Sequence, residues 1–67
     1  MTEAAVNFFI VGETLQFAFR RMSQVPHFGD QLVFAETRYR VISVEWCMDA
    51  DATEIGTRVN IEMKRIA

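Results

Sequence analysis

The sequence predicts an all-β fold, a five-stranded antiparallel meander closed into a small barrel or roll, and three observations predict it. The apolar residues include seven Val, five Ile and six Phe against only two Leu, and branched or flat side chains suit a pleated sheet better than a helix. Apolar and polar residues alternate over short runs separated by Gly, Pro and Asp, which is the period of half-buried strands. The alternation then changes phase between Val41 and Val44, as it does where a β-bulge bends a strand around a closing sheet.

The first element is a hairpin over Val6 to Arg21, turning at Gly12-Glu13 with glycine in the first central position that a type II′ turn prefers. Counting outward pairs Ile10 with Leu15, Phe8 with Phe17 and Val6 with Phe19 on one face, leaving Asn7, Phe9, Val11, Thr14, Gln16 and Ala18 on the other. A slip by one residue scatters that apolar set, so turn chemistry and pattern support one register.

Pro26, which has no N–H for a ladder, and the Gly29-Asp30 turn signal mark residues 22–30 as a loop. Leu32 to Val41 reads as a second hairpin closing around Glu36-Thr37 or around Ala35 to Arg38; either loop pairs Phe34 with Tyr39 and Leu32 with Val41. One extra residue near Ile42-Ser43 brings Val44 and Trp46 back to the inner face. Residues 49–57 are polar and turn-like. The last strand, Arg58 to Arg65, places Val59, Ile61 and Met63 inward and returns beside the Val41–Met48 strand. The expected core is Phe8, Ile10, Leu15, Phe17, Phe19, Leu32, Phe34, Tyr39, Val41, Val44, Trp46, Val59, Ile61 and Met63.

The run Pro26-His-Phe-Gly-Asp30, followed by Leu32-Val-Phe34, Tyr39-Arg-Val41, Val44-Glu-Trp46 and Val59-Asn-Ile61, resembles small SH3-like β-barrel proteins of bacteria and their phages. The resemblance covers roughly residues 26–66 and rests on turn and core residues. It leaves the first hairpin unaccounted for and implies no particular activity, since fold does not carry function; together with that hairpin, the expectation is a single small β-barrel domain over residues 1–67.

Length and charge narrow the function classes. A chain of 67 residues with net charge −2 has room for one core and too little charge to be driven toward nucleic acid by electrostatics alone. Its single cysteine, Cys47, forms no internal disulfide, and with the single His27 it does not supply the four ligands of a structural zinc site. The apolar N-terminal stretch lacks the basic start of a signal peptide, and no run reaches the ~20 apolar residues of a membrane span. A free thiol without an export signal suits a cytoplasmic protein. No membrane, metal or cofactor role is expected.

Catalysis would need Cys47 and His27 brought together by the fold, although parity turns Cys47 outward; the expectation is no enzyme. Asp49-Ala-Asp-Ala-Thr-Glu54 begins like a calcium loop, but Glu54 stands where the sixth position needs glycine and Asn60 where the twelfth needs glutamate. The expected function is a non-enzymatic binding module for another protein, with self-association into a homodimer as one form. Phe9, Val11 and Val33 are its apolar contacts and Arg40 with Arg58 the polar surround. The alternative is nucleic-acid binding through outward Arg20, Arg40, Arg58 and Lys64, opposed by Glu45 and Glu62 on the same face.

Overall fold

The computed structural model describes residues 3–47 and 57–66. Five strands form one mixed sheet: β1 (Ala4–Ile10), β2 (Gln16–Met22), β3 (Gln31–Phe34), β4 (Thr37–Cys47) and β5 (Arg58–Arg65). Their spatial order is β2-β1-β5-β4-β3. All described elements are strands, as composition predicts, and the sheet curls into a half-barrel.

Two parts of the expected topology are corrected. The sheet is not a pure antiparallel meander, because β1 lies parallel to β5, with Val6 opposite Val59 and Phe8 opposite Ile61. Nor is the barrel closed: β2 and β3 remain its two edges. The reason lies in β1, whose Ala-Ala-Val-Asn-Phe-Phe-Ile run buries Ala4, Ala5, Val6 and Phe8 in near-continuous succession. Such a run belongs at the centre of a sheet, with a neighbour on each side.

The first hairpin also differs. Its tight turn centres on Val11-Gly12, with the Glu13 N–H donating to Ile10 O at 3.0 Å and Gly12 at φ +85°, the positive φ that a type II turn requires at its third position. Phe9 faces Gln16 as expected, but a bulge follows, and Phe8 faces Ala18 where Phe17 was expected. Beyond it the face of every β2 residue is exchanged. Ala18, Arg20 and Met22 share the inner face with Phe8, Val6 and Ala4, whereas Phe19 and Arg21 join Asn7 and Ala5 outside.

The second hairpin turns on Ala35-Glu36, both at positive φ (49° and 65°) as in a type I′ turn. Leu32 therefore faces Tyr39 and Phe34 faces Thr37, a slip of two residues from the expected pairing. Because side chains alternate with period two, this slip leaves every face unchanged. The bulge expected near Ile42-Ser43 is present: the β4–β5 register shifts between Val41 and Ser43, after which Val44 faces Ile61 and Trp46 faces Val59.

The core consists of Ala4, Val6, Phe8, Tyr39, Val41, Val59, Ile61 and Met63, with Ile10, Ala18, Met22, Val25, Leu32, Phe34 and Val44 packed against it. Curling brings the two edges together over this core: the Phe17 ring of β2 meets Phe34 of β3 at 5.4 Å and Tyr39 of β4 at 5.6 Å, and Phe34 meets Phe8 at 5.2 Å. Four expected core residues are exposed. Leu15, at 79% exposure, lies in the loop after the turn; Phe19 is on the outer face; Phe17 and Trp46 keep one side open, with no strand closing the barrel above them among the described residues.

Candidate functional site

Two of the surface grooves among the described residues lie on opposite faces of the sheet. The larger, of about 710 Å³, runs between the loop after β2 and the inner-face end of β4, lined by Ser23, Gln24, Val25, Pro26, His27, Asp30, Gln31, Leu32 and Trp46. The loop is held in place by its own turn. The His27 N–H donates to Asp30 Oδ2 at 2.8 Å and the Asp30 N–H to His27 O at 3.0 Å, with Gly29 at φ +91°. It is then stitched to β4 by bonds from the Gly29 N–H to Val41 O and from the Val41 N–H to Asp30 O. Val25 thereby packs on the core and Pro26 is buried, while Phe28, at the turn's second position, projects outward at 76% exposure and does not fold over Phe9. Trp46 shares the inner face with Val59 yet is 49% exposed, so its indole forms a wall of the groove.

Among the described residues, the groove's middle is apolar, from Val25, Pro26, Leu32 and Trp46, and its rim is Ser, Gln and His with one carboxylate, Asp30, whose side chain is already bonded within the loop. That division of apolar centre and polar rim matches the anatomy of a protein contact. Among the described residues that line it, no lysine or arginine offers a phosphate a counter-charge.

The residues expected to form one partner-binding patch are spread over the surface. Phe9 is half-buried on the outer face of β1, opposite Glu62. Val11 is exposed at the second position of the first turn, its N–H bonded to Met63 O. Val33 is exposed on edge strand β3 opposite Arg38, with β5 and β4 between it and Phe9. Arg40 faces Lys64 and Arg58 faces Cys47, so the two arginines stand at opposite ends of the β4–β5 pair. Of the expected basic stripe, Arg40, Arg58 and Lys64 share the outer face. Arg20 does not: the β2 bulge turns it inward, where its guanidinium stands 5.6 Å over the Phe34 ring and donates to Phe19 O.

Sequence reasoning missed Arg21 and Phe19 as outer-face residues. They line the second groove, of about 340 Å³, with Ala5, Asn7 and Arg58. The fold does not assemble Cys47 with His27: the thiol lies on the outer face within 3.7 Å of Asn60 Nδ2, and His27 lines the groove that Trp46 enters from the inner face. Asp49, Asp51 and Glu54, the start of the calcium-like loop, lie outside the described residues, and among the described residues no cluster of three or more metal-ligating side chains forms. No described helix is long and apolar enough to cross a membrane. The chain matches no protein-family model, no curated protein and no solved structure.

Proposed function

We propose that this protein is a non-enzymatic binding module whose inner-face groove holds an extended apolar segment of another protein chain. The observation that carries this reading is Trp46, half exposed on the face that elsewhere forms the core, over a groove walled by Val25, Pro26 and Leu32. Tryptophan set in an apolar pocket is the residue type that most often dominates binding energy at protein interfaces. The region that resembles small SH3-like barrel proteins, residues 26–66, supplies most of the walls, and a reducing cytoplasm suits its free Cys47.

Because Trp46 is the only tryptophan, its emission reports occupancy of the groove directly. Peptides selected from a random library against the full chain are expected to carry apolar anchors, to shift Trp46 emission to the blue, and to lose binding in Val25→Asp but not in Val33→Ser. Selected peptides that leave Trp46 emission unchanged, or that lose binding only in a Phe9→Ser/Val33→Ser double variant, overturn the groove and move the contact to the outer face. Sedimentation of the free protein separates self-association from capture of a different chain.

A further inference from the structure

The smaller groove is set by register. Ala5 of β1 faces Arg21 of β2 on one side and Arg58 of β5 on the other, and two residues along Asn7 lies between Phe19 and Asn60. A methyl group flanked by two long guanidinium stems leaves a trough with Ala5 as floor, and Phe19 and Arg21 rise on one wall with Arg58 on the other. The Phe19 ring is 44% exposed. Among the described residues no carboxylate lines the trough. The nearest acid in the Asn7 row, Glu45, is engaged beyond it: Asn7 Nδ2 donates to Asn60 Oδ1 at 3.2 Å, and Asn60 Nδ2 donates to Glu45 Oε1 at 3.4 Å.

We propose that this trough is a binding site for a short stretch of single-stranded nucleic acid, with a base stacked on Phe19 and its phosphate held between Arg21 and Arg58. Three features favour that ligand. The two arginine-bearing strands flank a single intervening strand, so their backbones stand about 10 Å apart, within the reach of two guanidinium groups onto one phosphate. Phe19 precedes Arg21 by two positions on the same face, about 7 Å along the strand, a separation that one nucleotide spans. An exposed ring beside paired arginines serves a flat base and its anion together, whereas an acidic peptide uses only the charge. Glu62 and Glu45 further along the outer face limit the contact to one or two nucleotides and disfavour a duplex lying across the sheet. The trough is on the opposite face from the Trp46 groove, and the proposal does not rest on peptide binding there.

The test is an amide NMR titration of the full chain with an unstructured eight-nucleotide DNA, the corresponding duplex, and polyglutamate. The single strand is expected to shift Ala5, Asn7, Phe19, Arg21 and Arg58, with a log–log salt slope of about −0.7, from the one phosphate held between the two arginines. Phe19→Leu is expected to weaken binding about tenfold; Arg21→Gln is expected to weaken binding at low salt and to flatten the slope toward zero. Arg20→Gln, on the inner face, is expected to leave binding unchanged. No shifts at low salt, shifts centred elsewhere, or equal binding of polyglutamate or duplex overturn the proposal. The shift map of the unaltered chain decides even where a variant unfolds.

Discussion

The contact between Phe17 and Phe34 measures whether the sheet is curled, because these rings belong to β2 and β3, the two edges of a five-stranded sheet. In a flat sheet three strands separate them and they do not interact. Phe34 meets Phe8, Phe17 and Tyr39 at 5.2, 5.4 and 6.1 Å and carries Arg20 at 5.6 Å. At the lower end of the range for aromatic pairs and exposed cation–π contacts, about 0.5 kcal/mol each, Phe34→Leu costs about 2 kcal/mol. Phe17→Leu costs less, because that ring is partly open to water. The decisive quantity is the coupling in the Phe17→Leu/Phe34→Leu double-mutant cycle, expected at about 0.5–1 kcal/mol for a perpendicular pair. Urea unfolding followed by Trp46 fluorescence and circular dichroism supplies it, provided that the four proteins share one m-value. A coupling below about 0.3 kcal/mol, within ordinary additivity error, refutes the curled sheet.

Two further predictions concern the core and a turn. Ile61, fully buried and in register with both Phe8 and Val44, is expected to lose about 2–5 kcal/mol as Ile61→Ala and about 0.5–1.5 as Ile61→Val. A chain of this length holds only about 3–10 kcal/mol, so the alanine variant should lose a large fraction of its stability, read by urea titration at room temperature; a loss below about 1 kcal/mol would show that the core lies elsewhere. Because Ala35 and Glu36 both sit at positive φ, Ala35→Asn/Glu36→Gly is expected to stabilise by about 1 kcal/mol or more and to raise Tm by about 4–8 °C, read by thermal melts. An unchanged or lower Tm contradicts the I′ geometry.

What the sequence made legible depended on whether one residue's parity decided the matter. The bulge after Val41 was readable because Tyr39, Val41, Val44 and Trp46 leave no consistent alternation without it, and the slipped second hairpin kept its faces because two residues restore parity. The β2 bulge was hidden, since Phe17 and Phe19 are equally apolar and either register gives an attractive pattern. That one residue exchanged Arg20 for Arg21 on the outer face and carried Phe19 with it, which is why the outer trough was not foreseen while Arg58, on an unbulged strand, was placed outward. The parallel β1–β5 pair was obscured because its partners lie far apart in sequence and no helical crossover announces them; its trace is the unbroken apolar opening of β1. Trp46 was assigned to the inner face, but parity does not reveal whether another strand will cover it.

The central pairing of β1 with β5 also shapes how the chain folds. Each hairpin closes through a short loop, but Asn7 and Asn60, bonded across the middle of the sheet, are 53 positions apart. Neither hairpin is stable alone in water, and only β5 joins them. The rate-limiting step is therefore expected to be a search by the last strand for a slot between two transient hairpins, which places this small domain among the slower folders of its size. On a ribosome, the aromatic surfaces of β1–β4 emerge before the strand that unites them, so the nascent chain passes through an interval in which those surfaces are open to chaperones or to one another.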